Sequence, residues 1–305
     1  MNDRKGIESL IFIDGGDPVE TAEAKKLLGF IDGQTTNPSL VAKNPEIKKF
    51  IESGKRFSKE DLLKEYKTLI QAISKATDGP TSIEVDARED STVEDLMEQA
   101  HEMNTWIPNG YIKFPTIKAG VQAAHQSVAE GIRVNMTLCF SQDQAAAVYA
   151  ATKNSQSKPL PGYFDDRSPV YISPFVGRLD DIGQNGMDLI ANILSMYHQL
   201  GDGHVHVLSA SIRNLHHLMY ALKLKSEAIT MPFSVFKEWA EAEFKLPTDE
   251  FIYDPKFDLG KELETIPYKE LTLDEEWNNF DIKHELTQKG LVKFGEDWQS
   301  LLKND

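Results

Sequence analysis

The sequence predicts a (β/α)8 TIM barrel, an α/β fold, with an additional C-terminal helical segment. Short β-branched or apolar runs recur eight times along the chain, and longer segments with apolar residues at mixed three and four spacing separate them. Such alternation within about 250 residues is the pattern of this barrel. A doubly wound open sheet is the rival architecture. Against it, no G-x-G-x-x-G follows the first strand, and polar residues are spread over the ends of nearly all strands rather than gathered at one crevice.

The strand-like runs are LIFID ending at Asp14, FIDGQTTN ending near Asn37, SIEVD ending at Asp86 and YIKF around Lys113. They continue with RVNMTLCF from Arg133, VYISPFV from Val170, HVHVLSAS from His204 and a brief AIT around Ile229. Helices are expected over 18–28, 45–76, 91–105, 117–129, 142–152, 181–199, 213–225 and 233–245. Ser91 and Ser141 stand where two of them need N-caps. Residues 155–169 read as a Pro/Ser/Asp-rich loop that overhangs the strand ends. Residues 246–305 read as an appendage packed on a single barrel domain spanning 1–305. Its last stretch, HELTQKGLVKFGEDWQSLLK, reads as an amphipathic helix interrupted at Gly290 or Gly295.

With 305 residues, 40% of them hydrophobic, the chain can bury a substantial core. The formal net charge of -15 argues against a nucleic-acid partner or an anionic membrane surface, since both need a basic face. A small anionic substrate stays open if a few local arginines overcome the global field. The single cysteine, Cys139, excludes an intramolecular disulfide and a Cys-rich zinc site, and fits a reducing compartment. The apolar run before Asp14 is too short for a signal peptide or a membrane span, so a cytoplasmic protein is expected. A homo-oligomer is compatible with the sequence, which does not specify one.

Lys113, in YIKFPT, raises the chemical question. A buried ammonium either pairs with a carboxylate or gives up its proton, and the free amine then attacks carbonyls. A strand-end lysine reaching into water is the plain alternative. The other strand ends carry Asp14, then Thr35 and Asn37, Glu84 and Asp86, Asn135 and Thr137, Ser173, and Ser209 with Ser211. Residues two apart share a face, so Glu84 with Asp86 and Asn135 with Thr137 are expected to point together toward one mouth. A Schiff-base enzyme needs an acid/base to dehydrate the carbinolamine and a base for the hydroxyl proton released on carbon-carbon cleavage. Two carboxylates on different strands can fill those roles. Thr137 is suited to hold a water between Glu84 and the lysine, and Asn37, Asn135 and Ser173 to bind substrate hydroxyls.

Arg178 follows the sixth strand, and Ser211 and Arg213 stand where the seventh opens into a helix. That combination suits an oxyanion, although solvated loop arginines would look the same. His204 and His206 have a spacing that can chelate zinc. Their parity in a regular strand is opposite to that of Ser211 and Arg213, so they are expected to face away from the mouth, and no metal is assigned.

Taken together, IDGGD (13–17), TTNPSL (35–40), EVDAR (84–88), IKFPT with Lys113, NMTLCFSQDQA from Asn135, ISPFVGRLDD from Ile172 and SASIRN from Ser209 resemble the transaldolases, Schiff-base-forming class I aldolases on a (β/α)8 barrel. The resemblance implies Lys113 as the nucleophile, Asp14 as the acid/base for bond cleavage, and Glu84 as the acid/base acting through water with Thr137. It implies Asn37, Asn135 and Ser173 as donor-sugar contacts, with Thr35 and Phe175 completing the substrate-facing set. Arg178, Ser211 and Arg213 are the implied phosphate site. The implied reaction moves a dihydroxyacetone unit from sedoheptulose 7-phosphate or fructose 6-phosphate to glyceraldehyde 3-phosphate or erythrose 4-phosphate, in the non-oxidative pentose phosphate pathway, with neither cofactor nor metal. FPTIKAG departs from the IPAT-like sequences common after the lysine, and residues 246–305 follow the family pattern loosely. Both departures bear on acceptor preference and assembly. The alternatives are a fructose-6-phosphate aldolase-like lyase, a transaldolase for another anionic ketose such as a sulfonated one, and a non-catalytic sugar-phosphate binder. Phe175 bears on the lyase, since hydrolytic relatives tend to carry tyrosine there.

Overall fold

A computed structural model describes residues 4, 6–77, 79–154, 170–256, 260 and 262–303. The eight apolar runs form eight parallel strands in chain order around a closed barrel. They are β1 (Leu10–Asp14), β2 (Gly33–Thr35), β3 (Thr81–Glu84), β4 (Gly110–Pro115), β5 (Val134–Cys139), β6 (Val170–Pro174), β7 (Val205–Ser209) and β8 (Ala228–Met231). β1 closes on β8, with Leu10 opposite Ala228 and Ile13 opposite Met231. Pairing on both edges leaves the barrel no free edge, and β-rich sequences enclosed on both faces become near-continuous apolar runs. The interior is plugged below the mouth by aromatic rings. Tyr171 meets Phe12 edge-on at 5.9 Å and Tyr111 at 4.9 Å. Lys113 stands two residues along β4 from Tyr111, on the same face.

The outer helices are α1 (Pro18–Leu28), α2 (Pro38–Ala42), α3 (Pro45–Glu52), α4 (Lys59–Thr77), α5 (Val93–Asn104), α6 (Lys118–Ala129) and α7 (Gln142–Thr152). They continue as α8 (Val176–Asp181), α9 (Gly186–Leu200), α10 (Leu215–Lys223), α11 (Phe233–Glu241) and α12 (Glu285–Gln299). Their starts follow local chemistry. Asp17 accepts from the Val19 amide and Pro18 opens α1, which Gly29 ends in the left-handed region at φ 95°. Ser141 caps α7 as expected, accepting from the Gln144 amide. Thr92, rather than Ser91, caps α5 through a reciprocal box with Asp95, while the Ser91 hydroxyl accepts from the Arg88 amide.

Other boundaries also differ from the sequence reading. The helix expected over 45–76 is two, α3 and α4, because the chain turns at Gly54 (φ 81°) and Ser58 restarts it by accepting from the Asp61 amide. The helix expected over 181–199 begins at Gly186, after α8 and a turn at Gly183 (φ 88°). The loop expected over 155–169 lies outside the described residues.

Helix α12 runs unbroken through Gly290 and Gly295. The absence of a Cβ serves close approach there, to Leu138 and Arg178 at Gly290 and to Arg88 at Gly295. The helix buries Leu286, Leu291, Phe294 and Trp298 and lies across α2 and β5, so the tail reaches the mouth of the barrel.

Candidate active site

A cavity of about 430 Å³ opens at the C-terminal end of the strands. Lys113 lies at its base and is almost wholly enclosed. The Lys113 Nζ stands 2.8 Å from Glu84 Oε2, and the two side chains are 3% and 4% exposed. Nζ also donates to the Thr36 carbonyl at 2.9 Å. The contact with Glu84 is an ion pair rather than a well-directed hydrogen bond, since Oε2 accepts none. β3 and β4 pair with Glu84 directly opposite Lys113, and β4 and β5 with Lys113 opposite Asn135, so strand register alone brings these side chains together. The structure thus places a carboxyl group within ion-pair distance of this buried lysine.

Asp14 projects into the same cavity from the end of β1, where Thr35 donates to its Oδ1 at 2.7 Å. The Thr35 hydroxyl lies 2.7 Å from that of Thr230 on β8. Burial pushes the Asp14 carboxyl above the ordinary carboxylate range, against the pull of Lys113, Thr35 and Arg178. Burial likewise raises Glu84, opposed mainly by Lys113. Both carboxyls thereby hold a proton more readily than an exposed carboxylate does.

Asn37 and Ser173 line the cavity wall, and Asn37 also caps α2 by accepting from the Leu40 amide at 3.0 Å. Asn135 lies one layer behind, donating to Ser82 Oγ at 3.0 Å and accepting from Ser173 Oγ at 2.7 Å. Thr137 is enclosed too, and its hydroxyl has no hydrogen-bond partner among the described residues. Asp86 does not join this mouth. β3 stops at Glu84, so the two-residue alternation no longer applies, and Asp86 pairs with Arg88 at 3.0 Å beside a separate cavity. Glu84 borders that second cavity of about 520 Å³, placing it in the wall between the two.

Phe175, Arg178, Ser211 and Arg213 gather at the other end of the first cavity. Ser211 reaches it because its φ of 56° breaks the strand alternation; Ser209, two residues earlier, instead faces Ser226 at 2.8 Å, away from the mouth. Gly177 leaves room for the Arg213 side chain to cross its backbone, and Arg213 pairs with Asp181 at 2.8 Å. Arg178 is held differently. Its guanidinium carbon sits 5.2 Å from the Phe175 ring centroid and 5.1 Å from that of Phe294. Burial pulls its pKa below the usual guanidinium value, partly offset by Glu84. Among the described residues, none accepts a hydrogen bond from it, so its N–H groups are open to an anion.

Several cavity residues escape sequence reasoning. Thr230 lies in the eighth apolar run, and continuing the survey of strand ends through that run would have found it. Ser39 belongs to α2 and Lys43 caps its C-terminus, while Lys293, Phe294 and Asp297 come from α12; no strand-end pattern points to them. His206, opposite Tyr171 in register, packs on that ring at 6.2 Å in the lower barrel. His204 lies 2.6 Å from Asp202 and 3.0 Å from Thr152. Among the described residues no group of three or more His, Cys, Asp or Glu side chains is arranged to hold a metal. None of their helices is long and apolar enough to cross a membrane.

A family model described as Transaldolase/Fructose-6-phosphate aldolase matches residues 11–304, a span that includes α12. The chain is 33% identical over 294 residues to a protein named Probable transaldolase from Geotalea daltonii, covering 96% of this chain and 99% of that one. It is 36% identical over 230 residues to a Probable transaldolase from Sorangium cellulosum, covering 75% and 88%. A Probable transaldolase from Anaeromyxobacter is 38% identical over 232 residues, covering 75% and 89%.

Proposed function

We infer the function from the premise that the chain belongs to the transaldolase/fructose-6-phosphate aldolase family. It is an enzyme of that family, and the relatives it matches carry a transferase name. Within the family, the reading is a transaldolase that moves a dihydroxyacetone unit from sedoheptulose 7-phosphate or fructose 6-phosphate to an aldose phosphate through a Schiff base on Lys113. The observation that carries it is the enclosed Lys113–Glu84 pair at one end of a cavity whose other end holds an arginine with donors unclaimed among the described residues.

The chemistry follows from the environment of each group. Burial favours the neutral form of Glu84, so this carboxyl can accept the ammonium proton and free the amine. The amine adds to the ketose carbonyl, and Glu84 protonates the departing hydroxyl through a water positioned by Thr137, giving the protonated imine, water and the Glu84 carboxylate. The unpartnered Thr137 hydroxyl supports that role. Asp14 takes the proton of the C4 hydroxyl as the C3–C4 bond breaks. The aldose leaves, and the three-carbon unit stays on Lys113 as an enamine. The acceptor aldehyde forms the new bond with that enamine, Asp14 returns the proton to the alkoxide, and hydrolysis of the imine releases the product ketose. Arg178, Arg213 and Ser211 hold the phosphate remote from the reacting carbons, so binding energy from that end orients the carbonyl.

Phe175 favours transfer over hydrolysis, because its ring has no hydroxyl to position an attacking water. Borohydride reduction with fructose 6-phosphate, followed by peptide mass analysis, is expected to place an adduct on Lys113, and its absence overturns the Schiff-base reading. Product analysis with and without an acceptor aldose separates the lyase: free dihydroxyacetone as the main product would replace transfer by simple cleavage. Competition between phosphorylated and sulfonated ketoses identifies the preferred anion.

A further inference from the structure

Helix α12 contains two glycines inside its span, where glycine weakens a helix relative to alanine. Each faces an arginine. A Cβ at Gly290 would lie 2.7 Å from Arg178 Nη1 and 2.5 Å from Leu138 Cδ2, whereas one at Gly295 would strike the Arg88 guanidinium. Gly290 and Phe294 are four residues apart and share one face of the helix. The ring of Phe294 stands 5.1 Å from the same guanidinium that Gly290 admits, and Phe175 contributes the second ring from the barrel side. Arg178 is therefore located by shape and ring contacts, while its hydrogen-bond donors meet no acceptor among the described residues. Arg213 contrasts with it, being exposed and already paired with Asp181.

We propose that Gly290 and Phe294 are positioning residues for Arg178, so that the C-terminal helix sets the affinity of the cavity for the anionic end of its substrate. The ligand class is a sugar phosphate, and this assignment rests on the transaldolase reading. The notch lets Arg178 turn its donors into the cavity instead of lying outward, and the two rings hold the charge there without consuming a donor.

The test compares Gly290→Ala with Gly295→Ala, a matched change on the same helix whose clash falls on Arg88. The clash at Gly295 meets the end of the flexible Arg88 side chain, whereas that at Gly290 meets both Arg178 Nη1 and the methyl groups of the buried Leu138, so Gly290→Ala presses on Leu138 as well as on Arg178. Two quantities are measured on the full chain: inorganic phosphate binding by calorimetry, and KM and kcat with fructose 6-phosphate. Gly290→Ala is expected to weaken phosphate binding and to raise KM by about 10-fold or more, the scale of one charge-assisted hydrogen bond, with kcat changed less than about 2-fold. Gly295→Ala should leave both near wild type. Phe294→Leu, which keeps the notch and removes one ring, should weaken phosphate binding by roughly 2- to 5-fold.

Phosphate bound equally by wild type and Gly290→Ala overturns the proposal, as does an equal loss in both glycine variants or no phosphate binding by wild type. If Gly290→Ala weakens phosphate binding selectively but no ketose phosphate is turned over, the positioning role stands and the transaldolase reading fails.

Discussion

At the lysine end of the cavity the reactive groups are borne on strands and enclosed by the barrel, whereas at the arginine end they sit on turns and a short helix and lean on α12. Lys113 and Glu84 are fixed by the register of β3 against β4, so neither can move without disturbing a ladder. Enclosure there raises the carboxyl proton affinities, in the sense that the proposed acid/base roles require. Arg178, Ser211 and Arg213 depend on a six-residue helix, a left-handed residue and rings from two parts of the chain. An anion site needs donors that are free and aimed; Arg213 carries its charge in solvent, whereas burial makes the Arg178 charge costlier to hold and Glu84 partly offsets that. Substitutions at the lysine end should therefore abolish turnover, while those at the arginine end should mainly raise KM.

The largest effect is expected from Lys113→Ala, which should eliminate turnover and the borohydride adduct. It also leaves Glu84 enclosed without its cation, so near neutral pH the variant should lose stability by about 3–5 kcal/mol. Because the Glu84 carboxyl is raised by burial, lowering the pH lets it bind a proton and should narrow that loss. Denaturant unfolding at two pH values checks this, and a stability difference independent of pH would contradict the strength of the pair.

Asp14→Asn should reduce kcat by about 10²–10⁴-fold, the range for losing a general acid/base. Its stability effect should run the other way. Burial raises the Asp14 carboxyl of the folded protein above the ordinary carboxylate range, so the fold favours the protonated carboxyl. That contribution is complete below the unfolded pKa and is lost as pH rises through the folded one. By pH 7, well above the ordinary carboxylate range, the burial of this carboxyl is a cost which Asp14→Asn removes, and the thermal midpoint of the variant should equal or exceed that of wild type. A clear drop in the midpoint would show that pairing with Lys113, not desolvation, governs this carboxyl.

At the arginine end, Arg178→Gln should raise KM for a phosphorylated donor by roughly 10- to 150-fold while kcat falls less, from the loss of about 1.5–3 kcal/mol of charge-assisted bonding. Arg213→Gln should do less, because Arg213 must first give up Asp181 in solvent-exposed surroundings. Equal effects of both changes on KM would remove the distinction between a held arginine and a mobile one.

The same contrast governs what could be read from the sequence. Asp14, Glu84 and Lys113 were visible because a strand end in a parallel barrel is a fixed address, and polar residues in otherwise apolar runs stand out there. Asp86 misled because alternation holds only while the strand lasts, and β3 ends two residues earlier. Ser211 was found at the right end although its approach depends on a positive φ that the expected alternation does not include. The contribution of α12 was not legible. A glycine that breaks a helix and a glycine that admits a neighbouring arginine are the same letter, and only the packing of Gly290 on Arg178 and Leu138 separates them. Phe294 and Lys293 reach the cavity through long-range docking that no local pattern records.

The smallest expected effect probes that docking at Ser39, a residue of the cavity wall that belongs neither to the lysine and its carboxyls nor to the arginine cluster. Ser39, on α2, hydrogen-bonds Asp297 on α12, and Asp297 also pairs with Lys293 at 2.5 Å within its own helix. Ser39→Ala removes the link between the two elements but leaves the carboxylate its lysine, so no buried charge is stranded. The loss should be about 0.5–1.5 kcal/mol, the net value of one hydrogen bond, seen in urea unfolding. Because Gly290, Leu291, Phe294 and Trp298 still bury the helix, Arg178 should keep its place and KM should stay within about 2-fold of wild type, less than 0.5 kcal/mol. A KM rise as large as that expected for Gly290→Ala would mean that the arginine end depends on the whole docking of α12, not on the notch at Gly290.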